Sequence, residues 1–361
     1  MKKHTHYSAI AFGLVFSSIC CGDIPRTSDG KPDLSGIYNI ATVTPIERPE
    51  ALGNIKTLSQ DKAQALATQI AAVKAAGVLD SDPNREAPPA GGDGSPGAAG
   101  NVGGYNLFWI DNGDTAIKID GEYRTSVIVD PPNGRFPKLT QRATKKASKF
   151  FNEVLHENKG DAWWLQQEGP GPYDGPEVMT MSDRCMLGFG SSGGPPMLPT
   201  LYNNFKRIVQ TPDHIVFFNE MVHDARVVRL NSEHGNPSIK RWLGDSIGWW
   251  EGDTLVIDTI NFTSEFCALL CSHEPSQGDN AVNLHVVEKF TRTDDRTLLY
   301  SFTVEDPNSW SGSWSGEYPW PESDDRVFEY ACHEGNYAME GILKGARLLE
   351  KETIAEGNAG H

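Results

Sequence analysis

Acid and base side chains are concentrated at one place near the middle of the chain. Glu220 is followed by His223 and Asp224, and Arg226 comes next. If 214–222 is a strand, alternation places Glu220 in an apolar row, where burial would raise the pKa of its carboxyl group. A histidine beside an aspartate is a useful base, and an arginine can hold an anionic substrate group. We expect proton transfer by Glu220 and His223, with Asp224 orienting the imidazole; the alternative is an ion-paired glutamate beside a polar hairpin tip.

A second cluster of polar groups follows later in the chain. His333, Glu334, Asn336 and Tyr337 lie within a few residues of one another, next to Cys332. If Cys332 is in a disulfide, the backbone is fixed there and these side chains are preorganised. We expect His333 and Glu334 to supply a second proton transfer, Tyr337 to stabilise developing negative charge, and Asn336 to bind substrate. The alternative is a polar loop anchored by a disulfide.

Tryptophans interleaved with small residues form a third feature. Trp310, Trp314 and Trp320 are separated mainly by serine, glycine and proline. Exposed indoles of this kind suit stacking on sugar rings or flat apolar ligands. Glu305 precedes them, and acidic groups beside stacking aromatics are typical of a cleft that acts on glycans. We expect these four residues to contact the substrate; the alternative is a lid that packs on a sheet.

The composition argues against several functions. The formal net charge of −16 should repel nucleic acid and anionic membrane surfaces. The glycine-rich stretch 188–196 lacks the Lys-Ser/Thr ending of a phosphate-binding loop, and there is no dinucleotide-binding fingerprint. We therefore expect no cofactor. A divalent metal held by His223 and His333 is a weaker alternative, because no metal-binding spacing such as HExxH supports it.

The N-terminus has the layout of a secretory signal. Lys2 and Lys3 precede an apolar run at 9–16 that is too short to span a bilayer, and small residues follow. We assign residues 1–21 as a signal peptide and expect an exported protein, periplasmic or secreted. Cys20 or Cys21 could carry a lipid tether. No later stretch reaches the ~20 apolar residues that a membrane-spanning helix needs.

The remaining cysteines suggest disulfide bonds. Cys185, Cys267, Cys271 and Cys332 make an even number in a chain that we expect to be exported. Cys267 and Cys271 are close enough for a local bridge, which would leave Cys185 to pair with Cys332. That pairing is one of three that the sequence permits.

Hydrophobic periodicity indicates a mainly β protein. An N-terminal extension, 22–204, should carry two helices, at 57–77 and from near Thr140, separated by a Gly/Pro-rich loop at 87–104. From 205 to 350 short turns join strands predicted at 205–210, 214–222, 225–230, 247–250, 254–262, 284–291 and 297–304. We expect an antiparallel meander that closes into a lipocalin-like barrel or a curved sheet and forms one unit with the extension.

Several strings together resemble a known family. They are PRTSDGKPDLSG (25–36), YRTSVIVDPPNGR (123–135), DRCM (183–186), GPPMLP (194–199), EMVHDAR (220–226), WWEGDTLVIDTINF (249–262), LHVVEKFTR (284–292) and YACHEGNYAM (330–339). The chain resembles an uncharacterised family of secreted proteins found in many copies in environmental bacteria. The resemblance implies a single unit over 25–350 and brings no activity with it, and the segment 267–280 departs from the family pattern.

These features favour an exported acid/base enzyme. We expect a lyase or hydrolase that acts on a carbohydrate-like or other cyclic small molecule. The competing hypothesis is a non-catalytic, lipocalin-like carrier of an apolar or aromatic ligand, in which the tryptophan-rich segment would gate the mouth of the barrel.

Overall fold

The computed structural model describes residues 24–77, 110–154, 159–169, 171–188, 191–263 and 283–359. The predicted signal peptide, the whole Gly/Pro-rich loop at 87–104, and Cys267 and Cys271 lie outside these ranges. None of the helices within these ranges combines the length and apolarity that a bilayer-spanning helix requires.

The structure is mainly β. The strands are β1 (Gly36–Asn39), β2 (Thr57–Leu58), β3 (Lys118–Ile119), β4 (Glu122–Arg124), β5 (Ile128–Asp130), β6 (Phe205–Gln210), β7 (His214–Asn219), β8 (Ala225–Leu230), β9 (Asp245–Glu251), β10 (Thr254–Ile260), β11 (His285–Arg292), β12 (Thr297–Glu305) and β13 (Trp314–Pro321). The α-helices are α1 (Gln60–Gly77), α2 (Gln141–Val154) and α3 (Tyr337–Ala359).

A large sheet of 10 strands organises the molecule, in the order β1-β6-β7-β8-β9-β10-β11-β12-β13-β5. The strands β2, β4 and β3 form a small second sheet. The prediction of an antiparallel meander is wrong for one pair of neighbouring strands, because β8 and β9 are parallel. Parallel neighbours need a crossover, which brings the chain back to the end of the sheet where it started. The connection 231–244 provides this crossover.

The large sheet curls into a half-barrel. At one end of β13 the chain meets the opposite edge strand, where Tyr38 of β1 pairs with Glu322. The backbone N–H of Ser323 donates to the carbonyl of Ile37 at 2.7 Å. At its other end β13 pairs with β5 instead. The N-terminal part of the chain thus supplies both edge strands, and the sheet curves rather than remaining open and flat.

The tryptophan-rich segment is a strand, not an exposed loop. In β13, Trp314, Gly316, Tyr318 and Trp320 are buried, and the residues between them face outward. This alternation with a period of two is that of a strand that packs one face on the core. The prolines of β13 lie beyond the stretch that pairs with β5. Proline has no backbone N–H group to donate, but no hydrogen bond between β13 and β5 is lost at these positions.

Aromatic rings fill the concave face of the half-barrel. Phe217 and Phe290 stack with their centroids 5.0 Å apart, and Tyr300 lies 4.8 Å from Phe290 and 5.0 Å from Trp320. Rings at these separations stabilise a core beyond the area that they bury. The same interior also contains charged side chains, whose burial costs free energy unless they are paired.

Arg226 and Glu288 form the buried ion pair of this interior. The guanidinium donates two hydrogen bonds to the carboxylate, one of them 2.9 Å long, and both side chains are almost fully buried. The hydroxyl of Tyr300 also donates to Glu288, at 2.8 Å. The guanidinium of Arg226, which we predicted to hold a substrate anion, is thus paired with Glu288 in this structure.

Replacing Glu288 with glutamine is expected to lower the free energy of unfolding by about 3 kcal/mol, because the charge of Arg226 stays buried without a counter-charge. Urea denaturation at pH 7 measures the change. The matched control Glu122→Gln, at an exposed position in β4, should shift stability by no more than about 0.5 kcal/mol. Equal effects of the two substitutions would contradict a structural role for the pair.

Candidate functional site

The turn between β7 and β8 carries the first predicted cluster. Val222 and His223 both have positive φ, 60° and 56°. This conformation is costly for residues with a side chain, above all for a β-branched valine. Such strain persists where the surrounding structure imposes it, and it is frequent at functional sites.

Glu220 is buried for a different reason from the one we predicted. The inward row of β7 is Ile215, Phe217 and Asn219, and the alternate row, in which we placed Glu220, faces outward. The strand ends at Asn219, and Glu220 turns inward as the chain leaves the sheet, so that it is 3% exposed. Strand parity therefore gave the wrong face, although the residue is buried.

The segment that precedes the second predicted cluster contacts this turn. The backbone N–H of Phe328 donates to Glu220 Oε1 at 3.0 Å, and that of Tyr330 donates to His223 Nε2 at 2.9 Å. Since Nε2 accepts here, neutral His223 carries its proton on Nδ1. The segment 328–330 thus lies against the 220–224 turn.

A disulfide fixes this arrangement. Cys185 is bonded to Cys332, which confirms the long-range pairing that we preferred among the three. Asn336 reinforces the link, because its Nδ2 donates to the carbonyl oxygen of Asp183 at 2.7 Å. Its Oδ1 accepts from the backbone N–H of Met339, so that Asn336 caps the start of α3. These bonds give Asn336 a structural role, and its contact with substrate stays a prediction.

His333, Glu334 and Tyr337 are exposed around the same place. His333 and Glu334 are exposed to solvent, and Tyr337, at the first turn of α3, is 82% exposed. These side chains form an outer rim, whereas Glu220 lies inside. An exposed rim can contact a ligand, but proton transfer at a desolvated centre requires groups further in.

Lys206 is the inner group that sequence reasoning missed. It lies opposite Asn219 in the β6–β7 ladder and is fully buried. Its Nζ has no hydrogen-bond partner among the described residues. Burial lowers the pKa of Lys206 to about 7, and the negative charges of Glu220 and Asp224 offset part of that effect. The signal was available, since Lys206 shares its strand face with Ile208, where a lysine is unusual.

Asp224 is the carboxyl group with a raised pKa. Burial raises the pKa of Asp224 to about 6, while the backbone N–H of Gly188 and the charge of Lys206 act in the opposite direction. Its Oδ2 atom is buried and has no hydrogen-bond partner among the described residues. Asp224 thus occupies the position of a protonatable inner group, rather than only orienting His223.

Further polar atoms at this end of the half-barrel are unsatisfied. Asn219 donates from Nδ2 to the carbonyl oxygen of Asp224 at 3.1 Å, but Oδ1 of Asn219 and Oγ of Ser192 are buried without partners in the described part of the chain. Gly193 lets the adjoining backbone come close, since a Cβ there would lie 3.0 Å from Oδ2 of Asp224. Buried polar groups are normally paired, so this group of atoms calls for a polar occupant.

A buried loop at 191–198 is hydrogen-bonded to the aromatic core of the half-barrel. The backbone N–H of Met197 donates to the hydroxyl of Tyr300 at 3.0 Å, and the hydroxyl of Tyr318 donates to the carbonyl of Met197 at 2.8 Å. Since Tyr300 also bonds Glu288, the loop is tied to the buried ion pair. The position of Ser192 is therefore set by the core.

The predicted stacking residues lie elsewhere. Trp314 and Trp320 are fully buried and Trp310 is 8% exposed, so the expectation of exposed indoles is wrong. Trp314 and Trp320 are buried because alternation in β13 turns them inward. Glu305 is exposed at the end of β12, with its Oε2 atom 3.6 Å from Nδ1 of His285. None of the four is among the residues that meet at the turn.

The described residues do not place three histidine, cysteine or acidic side chains together as metal ligands. No protein-family model matches the chain, and no curated protein matches its sequence. Function is therefore inferred from the residues that converge at the end of the half-barrel: Lys206, Asn219, Glu220, Asp224 and Ser192.

Proposed function

We propose that the protein is an exported acid/base enzyme, a lyase or hydrolase, acting on a carbohydrate-like or other cyclic small molecule. The observation that carries the proposal is a fully buried Lys206 without a hydrogen-bond partner among the described residues, facing the carboxyl groups of Glu220 and Asp224. An arrangement of this kind is costly to a fold, and perturbed ionisable groups concentrate at functional sites.

The protonation states suit catalysis near neutral pH. With a pKa of about 7, Lys206 is partly neutral and can accept a proton, and with a pKa of about 6 Asp224 is partly protonated and can donate one. General acid/base catalysis is most efficient when these values lie near the working pH. Glu220 would hold the second negative charge that balances Lys206 when the lysine is protonated.

The outer rim would supply binding rather than chemistry. His223 and His333 would contact the substrate where segment 328–330 meets the turn, with Glu334 beside them. Tyr337 and Phe328, which are 82% and 66% exposed, would offer ring faces in place of the buried tryptophans. This division moves the proton-transfer role from the histidines to the buried groups.

A lipocalin-like carrier is the less supported alternative. A carrier would hold its ligand on the concave face of the sheet, and that face is filled by contacting aromatic rings such as Phe217, Phe290 and Trp320. The unsatisfied polar atoms also suit a polar ligand better than an apolar one.

Export rests on two observations. The sequence begins with the features of a signal peptide, and the disulfide between Cys185 and Cys332 is of a kind that persists in oxidising compartments. We therefore place the proposed reaction in the periplasm or outside the cell.

Asp224→Asn tests the enzyme proposal. The purified protein is assayed against p-nitrophenyl glycosides for hydrolysis and against polyuronates for elimination, across pH 4–9. If Asp224 acts as acid and Lys206 as base, the wild-type rate should peak between about 6 and about 7. The substitution should cost roughly 10²–10⁴ in rate and remove the alkaline limb.

The matched control is Asp213→Asn, in the exposed turn between β6 and β7, which should keep the wild-type rate and pH profile. A wild-type rate in Asp224→Asn would contradict the proposed centre, and so would an unchanged pH profile.

A further inference from the structure

The ε-amino group of Lys206 has the setting of a nucleophile. A lysine attacks carbon only as the neutral amine, and burial away from water favours that form. Lys206 is fully buried, and its Nζ is bonded to none of the described residues, so the lone pair is not engaged in the structure. An ordinary buried lysine in a structural role would instead be hydrogen-bonded to a carboxylate.

The atoms around this amine match a hydroxylated ligand. Oδ1 of Asn219 and Oδ2 of Asp224 can accept hydrogen bonds, and Oγ of Ser192 can both donate and accept. All three are buried without partners in the described part of the chain. Ligand hydroxyl groups would satisfy these atoms, whereas an apolar ligand would leave them unpaired.

We propose that Lys206 forms an imine with the carbonyl group of its substrate, so that the substrate class is a hydroxy aldehyde or hydroxy ketone, such as a sugar in its open-chain form. This deepens the proposed function and rests on it. It narrows the reaction to one in which an iminium ion withdraws electrons from a neighbouring bond, as in cleavage of a carbon–carbon bond by a lyase.

The step balances without a redox partner. The lone pair of Nζ forms a bond to the carbonyl carbon, and the carbonyl π electrons move to oxygen, which takes a proton from Asp224. The nitrogen returns a proton to the Asp224 carboxylate, which then donates it to the hydroxyl group. The C–O bond breaks, water leaves, and the nitrogen lone pair forms the C=N bond of the iminium.

Reductive trapping at pH 7 tests the imine. The full chain is incubated with glycolaldehyde and sodium cyanoborohydride, and peptide mass spectrometry quantifies the added hydroxyethyl group at each lysine. We expect modification of Lys206 at least about tenfold faster than that of Lys289, which faces outward from β11, because exposed lysines are ordinarily protonated at this pH. Asp224→Asn should slow the adduct at Lys206 and leave that at Lys289 unchanged.

Modification of Lys289 at a rate equal to or above that of Lys206 would overturn the proposal, as would the absence of an adduct at Lys206. The two proposals fail separately. Loss of turnover in Asp224→Asn without an adduct at Lys206 would keep the acid/base enzyme and remove the imine. A fast adduct at Lys206 with full turnover in Asp224→Asn would keep the reactive amine and remove the proposed acid.

Discussion

Replacing Lys206 with methionine is expected to abolish turnover and, at the same time, to stabilise the fold at pH 7 by a few kcal/mol, because the lowered pKa of Lys206 shows that burying the amine costs free energy. The methionine side chain has a similar length and no charge, so it removes the cost of keeping an amine buried without a hydrogen bond. A residue that lowers stability and supports activity is what a functional site requires, since selection for structure alone would not keep it.

The stabilisation should depend on pH in a specified direction. The pKa of Lys206 is about 7 in the fold, below the ordinary value of 10.5. Between these values the unfolded chain binds more protons than the folded one, so wild-type stability rises with pH across this window, and the full cost of burial is present below it. Lys206→Met should remove this rise, and its advantage over wild type should shrink as the pH approaches 10.5.

Asp224 should act in the opposite sense at lower pH. Its pKa is raised from 3.8 to about 6, so between these values the folded chain binds more protons, and wild-type stability falls as the pH rises. Denaturant titrations from pH 4 to pH 10 on wild type, Lys206→Met and the control Lys289→Met measure both effects. Destabilisation by Lys206→Met at pH 7, or activity retained in that variant, would contradict the functional assignment.

Removing the disulfide is expected to have the other large effect. The bridge between Cys185 and Cys332 closes a loop with a sequence separation of 147 residues. The loop-closure relation for the unfolded chain gives about 5 kcal/mol for a loop of this length, and we expect Cys185→Ser/Cys332→Ser to lose up to that amount. The double substitution avoids leaving a free thiol that could form another bridge.

Removing the disulfide should also change hydrogen exchange in the segment next to it. Without the bridge, segment 328–330 is held less firmly over the 220–224 turn. The backbone N–H groups of Phe328 and Tyr330 should therefore exchange with deuterium faster than they do in the wild-type protein, whereas the rates in β12 should change less. Reduction of the wild-type protein should reproduce the effect, and reductant added to the double variant should change neither readout. Unchanged exchange in 328–330 would show that the bridge does not position this segment.

Much of the half-barrel could be predicted from local pattern. The predicted strand at 205–210 has the bounds of β6, and that at 225–230 has the bounds of β8. Alternation and turn residues are local properties, so they mark where strands begin and end. The same logic found the polar cluster at 220–226, and cysteine counting made the correct long-range disulfide one of three options.

The tertiary structure decided which strands pair and which side chains are buried. Periodicity could not reveal that β8 and β9 are parallel, because pairing across the 231–244 crossover depends on contacts between distant segments. It could not show that Trp314 and Trp320 are buried, because alternation marks one face of β13 as apolar but does not say that this face lies against the core.

The candidate site shows the same limit most clearly. Sequence alone identified an acid/base cluster at Glu220, His223 and Asp224, because reactive residue types stand close together along the chain. It did not identify Lys206, whose importance comes from a neighbouring strand of the folded sheet. A pKa depends on burial and on nearby charge. Only the fold brings the pKa of Lys206 down to about 7 and that of Asp224 up to about 6.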